Sequence, residues 1–116
     1  MTSKPRYLHN PKCSTSRNGL ALLHEKGVEV DIQLYLEQKL TAEQIERLVL
    51  ASGKDVEALV RKKDPRYKEV MGDKTPTQKR IIRLLSKYPE LMERPILITE
   101  NNQAVGRPIE NLLTIL

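Results

Sequence analysis

Cys13 is the single cysteine of the chain, and it lies in the polar and cationic stretch His9-Asn10-Pro11-Lys12-Cys13-Ser14-Thr15-Ser16-Arg17. The short apolar run Tyr7-Leu8 precedes this stretch, and Leu20, Leu22 and Leu23 follow it at helical spacing. A cysteine on a loop between a strand and a helix sits at a helix N-terminus, where unpaired N–H groups and the positive end of the dipole favour an anion. A thiolate is such an anion, so the position lowers the thiol pKa and raises the reactive fraction at neutral pH. The hydroxyls of Ser14, Thr15 and Ser16 and the cation of Arg17 add donors, so the loop is suited to hold both a thiolate and an oxyanion. The competing reading is a buried, inert cysteine, a common fate of this residue type.

Two dipeptides, Arg94-Pro95 and Arg107-Pro108, and the arginine of Leu59-Val60-Arg61 supply cations from distant parts of the sequence. Guanidinium forks match tetrahedral oxyanions bidentately, which ammonium groups do not. Three arginines meeting above Cys13 would build an oxyanion site; the alternative is that each is a surface residue or a partner of Glu93, Glu110 or Asp64. Pro95 directly precedes an apolar run, and a cis bond is expected there. His9 reads either as a base or as a hydrogen-bonding member of the loop, and His24 as a surface residue.

The elements that would position these groups follow from periodicity. Residues 5–9 read as a strand, 14–26 as a helix closed by Gly27, and Val30–Tyr35 as a period-two strand. Strand, helix, strand at this spacing is a βαβ unit with a right-handed crossover. Thr41-Ala42-Glu43-Gln44 has the form of a capping box ahead of Ile45, Leu48 and Val49, and Gly53 is expected to stop that helix. Asp55 is expected to cap a short helix, residues 64–71 to form a further turn, and Thr75-Pro76-Thr77-Gln78 to open a helix with Pro at its first position, ending at Pro89. Ile96–Thr99 and Gln103–Gly106 read as a hairpin about Asn101-Asn102, and 108–115 as a closing helix. The result is an α/β fold of thioredoxin-like layout: a mixed four-stranded sheet with a helical insertion, about residues 38–90, between βαβ and ββα halves of a single domain spanning 1–116.

Composition limits the function classes. The longest apolar runs are far too short to span a bilayer, and no charged-then-apolar leader is evident, so a cytoplasmic protein is expected. One cysteine cannot form an internal disulfide, so any disulfide made at Cys13 must be resolved by an outside thiol. The net charge of +5 arises in residues 61–116, which carry twelve Lys/Arg against seven Asp/Glu, while residues 1–60 carry eight of each. Such a surface attracts small anions or an acidic partner. With no Trp or Phe and four Tyr there is no evident stacking platform, so a nucleic-acid partner is not expected. No metal site is expected either.

The stretch around Cys13, then Leu59-Val60-Arg61-Lys62, Glu93-Arg94-Pro95-Ile96 and Gly106-Arg107-Pro108 together resemble the glutaredoxin-coupled arsenate reductase family, in order and over nearly the whole chain. The resemblance implies that Cys13 attacks arsenate, that Arg61, Arg94 and Arg107 bind the oxyanion, and that His9, Ser14, Ser16 and Arg17 support the loop. It implies glutathione as co-substrate and glutaredoxin as protein partner, with no bound cofactor. One departure is Ser14, where many members carry Gly, and it keeps open a related thiol oxidoreductase acting on another substrate. A second alternative is a protein-binding regulator similar to the Spx type; Ser16 stands where that group's second cysteine would be, so a disulfide switch is not available.

Overall fold

The computed structural model describes residues 4–52 and 55–116, with side chains at 4–50 and 55–116. Two compact units divide the chain, one of residues 1–38 and 94–116, the other of residues 39–93.

The first unit holds a four-stranded sheet. Strand β1 is Arg6–Leu8, β2 Asp31–Gln33, β3 Ile96–Ile98 and β4 Gln103–Val105. Their spatial order is β2-β1-β3-β4, with β1 parallel to β2 and antiparallel to β3, and β3 antiparallel to β4. Helix α1, Ser14–Glu25, makes the crossover from β1 to β2. It ends because Gly27 takes φ 73°, a left-handed conformation that glycine adopts without a Cβ clash. Tyr7 on β1, Leu23 on α1, Leu97 on β3 and Leu112 form a fully buried cluster, so α1 and the C-terminal segment share one face of the sheet. Each such side chain taken from water stabilises the fold by about 1.5–3 kcal/mol.

Strand β2 is shorter than the alternation predicts. Leu34 leaves the ladder because its carbonyl accepts the N–H groups of Glu37 and Gln38, which turns the chain. Ile32, on the expected apolar face, is 51% exposed, whereas Tyr35 is buried. The hairpin turn follows the chemistry of its asparagines: Asn102 Oδ1 accepts the Gln103 N–H at 2.8 Å, and the Asn102 carbonyl accepts the Thr99 N–H at 2.9 Å. The closing segment Ile109–Ile115 is a 3-10 helix rather than an α-helix. Two side-chain bonds accompany it: Asn111 Nδ2 donates to the Arg107 carbonyl, just ahead of the helix, at 3.2 Å and the Thr114 hydroxyl to the Asn111 carbonyl at 2.7 Å.

The second unit is helical. Helix α2, Ala42–Ser52, opens with the reciprocal capping box: the Gln44 N–H donates to Thr41 Oγ1 at 3.2 Å and the Thr41 N–H to Gln44 Oε1 at 2.9 Å. Its expected stop at Gly53 lies outside the described residues. Asp55 caps a 3-10 helix at Val56–Leu59, Asp64 caps α3, Pro65–Met71, and Thr77 caps α4, Gln78–Lys87. Pro76 therefore precedes the cap instead of occupying the first helical position, because the Thr77 hydroxyl accepts the Arg80 N–H. Helices α2 and α4 pack together and bury Ile45, Leu48, Val49, Ile81, Leu84 and Leu85.

Candidate active site

The loop after β1 is shaped by its own backbone and polar side chains. Asn10 Oδ1 accepts the Lys12 N–H at 3.1 Å, and the Asn10 carbonyl accepts the Cys13 N–H at 3.0 Å, so the chain reverses and delivers Cys13 as the N-cap residue of α1. Cys13 is a half-buried free thiol. Burial alone would raise its pKa. The Ser16 N–H, the Arg94 guanidinium (by hydrogen bond and by charge) and the Thr15 N–H all favour the thiolate and outweigh burial, so the thiol titrates below its ordinary value of 9.0.

Arg107 meets the same sulfur from the other side of the hairpin. Its Nη2 lies 3.8 Å from Cys13 Sγ, while its Nε donates to the Arg94 carbonyl at 2.8 Å. The guanidinium is therefore set between the Arg94 backbone and the sulfur. The Arg94–Pro95 and Arg107–Pro108 peptide bonds are both cis, whereas the sequence points to Pro95 alone. Gly106 fits here because a methyl at that position would lie 2.8 Å from Pro95 Cγ and 3.0 Å from Leu112 Cγ.

Behind the sulfur, Ser16 is fully buried and turned inward. Its Oγ accepts the Asn10 N–H at 3.0 Å and lies 2.7 Å from His9 Nδ1. Its backbone N–H faces the thiol, but its hydroxyl does not, which corrects the expectation that all three loop hydroxyls serve the sulfur. His9 is buried, and its pKa is lowered by burial and by the Arg17 cation, so the neutral imidazole prevails at neutral pH. Arg17 donates from Nη1 to the Pro11 carbonyl at 2.7 Å and braces the loop. Ser14 and His24 are exposed. Tyr7, which the sequence shows only as part of an apolar run, donates its hydroxyl to the Ser16 carbonyl at 2.6 Å. Arg61 belongs to the second unit, where its N–H donates to the Leu91 carbonyl at 2.8 Å and its Nη1 lies 4.0 Å from Asp64 Oδ2.

The first unit thus brings together a thiol biased toward ionisation, two guanidinium groups and the N–H groups of a helix terminus. That set can bind a tetrahedral oxyanion and present a nucleophile to it. Among the described residues no helix is long and apolar enough to cross a membrane.

A thioredoxin-like α/β chain with its thiol at the head of the first helix and arginines before two cis prolines defines a narrow class. The ArsC family's sequence profile matches residues 8–115, and the chain belongs to that family. It is 37% identical to the arsenate reductase of Haemophilus influenzae, over 93% of this chain and 95% of that one. It is 38% identical to the Escherichia coli K12 protein called "Uncharacterized protein YfgD", over 99% of this chain and 98% of that one. Among solved structures, "Arsenate reductase from Vibrio cholerae" superposes with a TM-score of 0.91 at 36% identity, covering 100% of both chains.

Proposed function

We propose that the protein reduces arsenate to arsenite at Cys13, with glutathione and glutaredoxin as outside thiols. The observation that carries this reading is the placement of Arg94 and Arg107 on the Cys13 sulfur, which pairs a nucleophile with an oxyanion cradle. The thiolate attacks arsenic, an S–As bond forms, and one arsenate oxygen leaves as water after protonation. Glutathione thiolate then attacks the Cys13 sulfur. An S–S bond forms, the S–As bond breaks with its electron pair left on arsenic, and arsenic(V) departs as arsenite, arsenic(III). A glutaredoxin thiol takes the glutathionyl group and restores the Cys13 thiolate. With a single cysteine in the chain, the last step has no internal route.

The family pattern adds Arg61 to the oxyanion set. Arg61→Ala is expected to raise KM for arsenate while leaving the Cys13 alkylation rate unchanged. A reaction that consumes glutathione suits a cytoplasmic protein. The test is a coupled assay with glutathione, glutaredoxin, glutathione reductase and NADPH: arsenate should drive NADPH loss, and Cys13→Ser should abolish it. Equal rates in that variant would remove the sulfur from the mechanism.

Ser14 favours a second reading, a thiol oxidoreductase of another substrate. It gains if arsenate gives no turnover while intact mass shows ready glutathionylation of Cys13. A regulator working by a disulfide is disfavoured, since Ser16 is a buried serine already engaged by His9 and Asn10.

A further inference from the structure

The N–H groups that favour the thiolate belong to the first turn of α1, and that turn must be held at a fixed height above the sheet. A helix terminus frays unless something outside it fixes it. The Ser16 carbonyl, third in the helix, is by α-helical geometry already served by the N–H four residues on. The Tyr7 hydroxyl is therefore not needed to satisfy it. It nevertheless donates to that carbonyl at 2.6 Å from the neighbouring strand, at a fully buried position. The apolar cluster around Tyr7 (Leu23, Leu97 and Leu112) would accept Phe equally well. Desolvation of the phenol is accepted at this position for a bond that packing alone does not require.

The space for the hydroxyl is also provided. A methyl at position 19 would lie 2.5 Å from the Tyr7 oxygen, 3.0 Å from Leu112 Cδ1 and 3.2 Å from Pro95 Cγ. Gly19 has an ordinary helical place in α1, where glycine otherwise weakens the helix by roughly 0.5–1 kcal/mol relative to Ala.

We propose that Tyr7 is a positioning residue: its hydroxyl, seated over Gly19, ties the first turn of α1 to β1 and so keeps the Thr15 and Ser16 N–H groups aimed at the Cys13 sulfur. The inference rests on Cys13 acting as a thiolate, and it does not rest on arsenate as the substrate. The phenol stays protonated, and so a donor, because burial raises its pKa and the nearby Cys13 charge raises it further, against the opposing hydrogen bond to Ser16. Among the described residues of the first unit, the charged or titratable groups facing the sulfur are Arg94 ahead of β3, Arg107 after β4 and Tyr7 on β1.

The experiment follows the Cys13 thiolate by ultraviolet absorbance against pH and by iodoacetamide alkylation, with Cys13→Ser as the blank. Tyr7→Phe should keep the far-ultraviolet circular dichroism of the parent and move the titration midpoint upward by about half a pH unit, slowing alkylation by about threefold at pH values well below the parent's midpoint. The two rates should converge at alkaline pH, where both thiols are ionised. Gly19→Ala should slow alkylation further, and adding Tyr7→Phe to it should recover part of the loss. A Tyr7→Phe protein that melts earlier yet titrates like the parent would show a merely structural tyrosine and overturn the proposal. If Gly19→Ala does not fold, the Tyr7→Phe titration decides alone. A parent with a low thiol midpoint and no arsenate turnover would sink the arsenate reading and leave this one standing.

Discussion

Favouring the thiolate form of Cys13 links the stability of the fold to pH. The folded thiol titrates below 9.0, so between the folded value and the ordinary one the unfolded chain binds more protons than the native chain, and stability rises with pH across that window. It is lost as pH falls through the folded value. The expected outcome is a denaturation midpoint that climbs with pH toward 9.0 in the parent relative to Cys13→Ser, and a constant difference above it. His9 acts in the same direction at lower pH. Its folded pKa is depressed from 6.5 by burial and by Arg17, so the native state loses stability as pH falls through that value. His9→Gln, which keeps a polar partner near Ser16 but does not titrate here, should flatten the acid limb of the urea midpoint against pH. At this scale Cys13 was legible because its neighbours are adjacent in sequence. Tyr7 was not, because its partner Ser16 is nine residues away and only the β1–α1 turn brings them together.

At the scale of elements, features written in a recognisable side-chain motif read directly. Thr41 and Gln44 form both bonds of the capping box, and Thr41→Ala should cost about 1 kcal/mol, measured as a lower urea midpoint with the Cys13 alkylation rate unchanged. Elements whose limits depend on which backbone carbonyl bends back on the chain read poorly, even where the bond spans only three or four residues. The end of β2 is set by the Leu34 carbonyl turning onto Glu37 and Gln38, and Gln33 Nε2 reinforces the turn by donating to the Gln38 carbonyl at 2.8 Å. Apolar alternation through Ile32 gives no sign of that turn. The closing segment was likewise open in sequence: its apolar spacing fits either kind of helix, and it takes the tighter 3-10 form. Gly106 carries a constraint that only the folded hairpin shows. Gly106→Ala forces Pro95 or Leu112 to move and should lower both thermal stability and the alkylation rate of Cys13, since Arg94 and Arg107 flank that packing.

For the molecule as a whole, the strand order places β1 and β3 side by side at the centre of the sheet with β4 antiparallel to β3, so the loop after β1 meets the segment before β3 and the segment after β4, and Cys13 and Arg107 come together although they stand 94 residues apart. A site assembled this way exists only in the native chain, and an anion bound there stabilises the native state by mass action. At an anion concentration of 100 Kd the gain is about 2.7 kcal/mol. For a chain near this size each kcal/mol raises Tm by roughly 4 °C. Arsenate, and sulfate as a non-reducible tetrahedral stand-in, should therefore raise Tm above a chloride control of equal ionic strength. Matching the ionic strength separates site binding from general screening of the +5 charge, which acts over the Debye length of about 10 Å at 0.1 M. Arg107→Ala removes a guanidinium 3.8 Å from the sulfur and should abolish most of the sulfate increment, while its Tm in chloride changes little because Arg107 is exposed. An increment that persists undiminished in Arg107→Ala would place the anion elsewhere on the basic surface and separate the thiol from the oxyanion site.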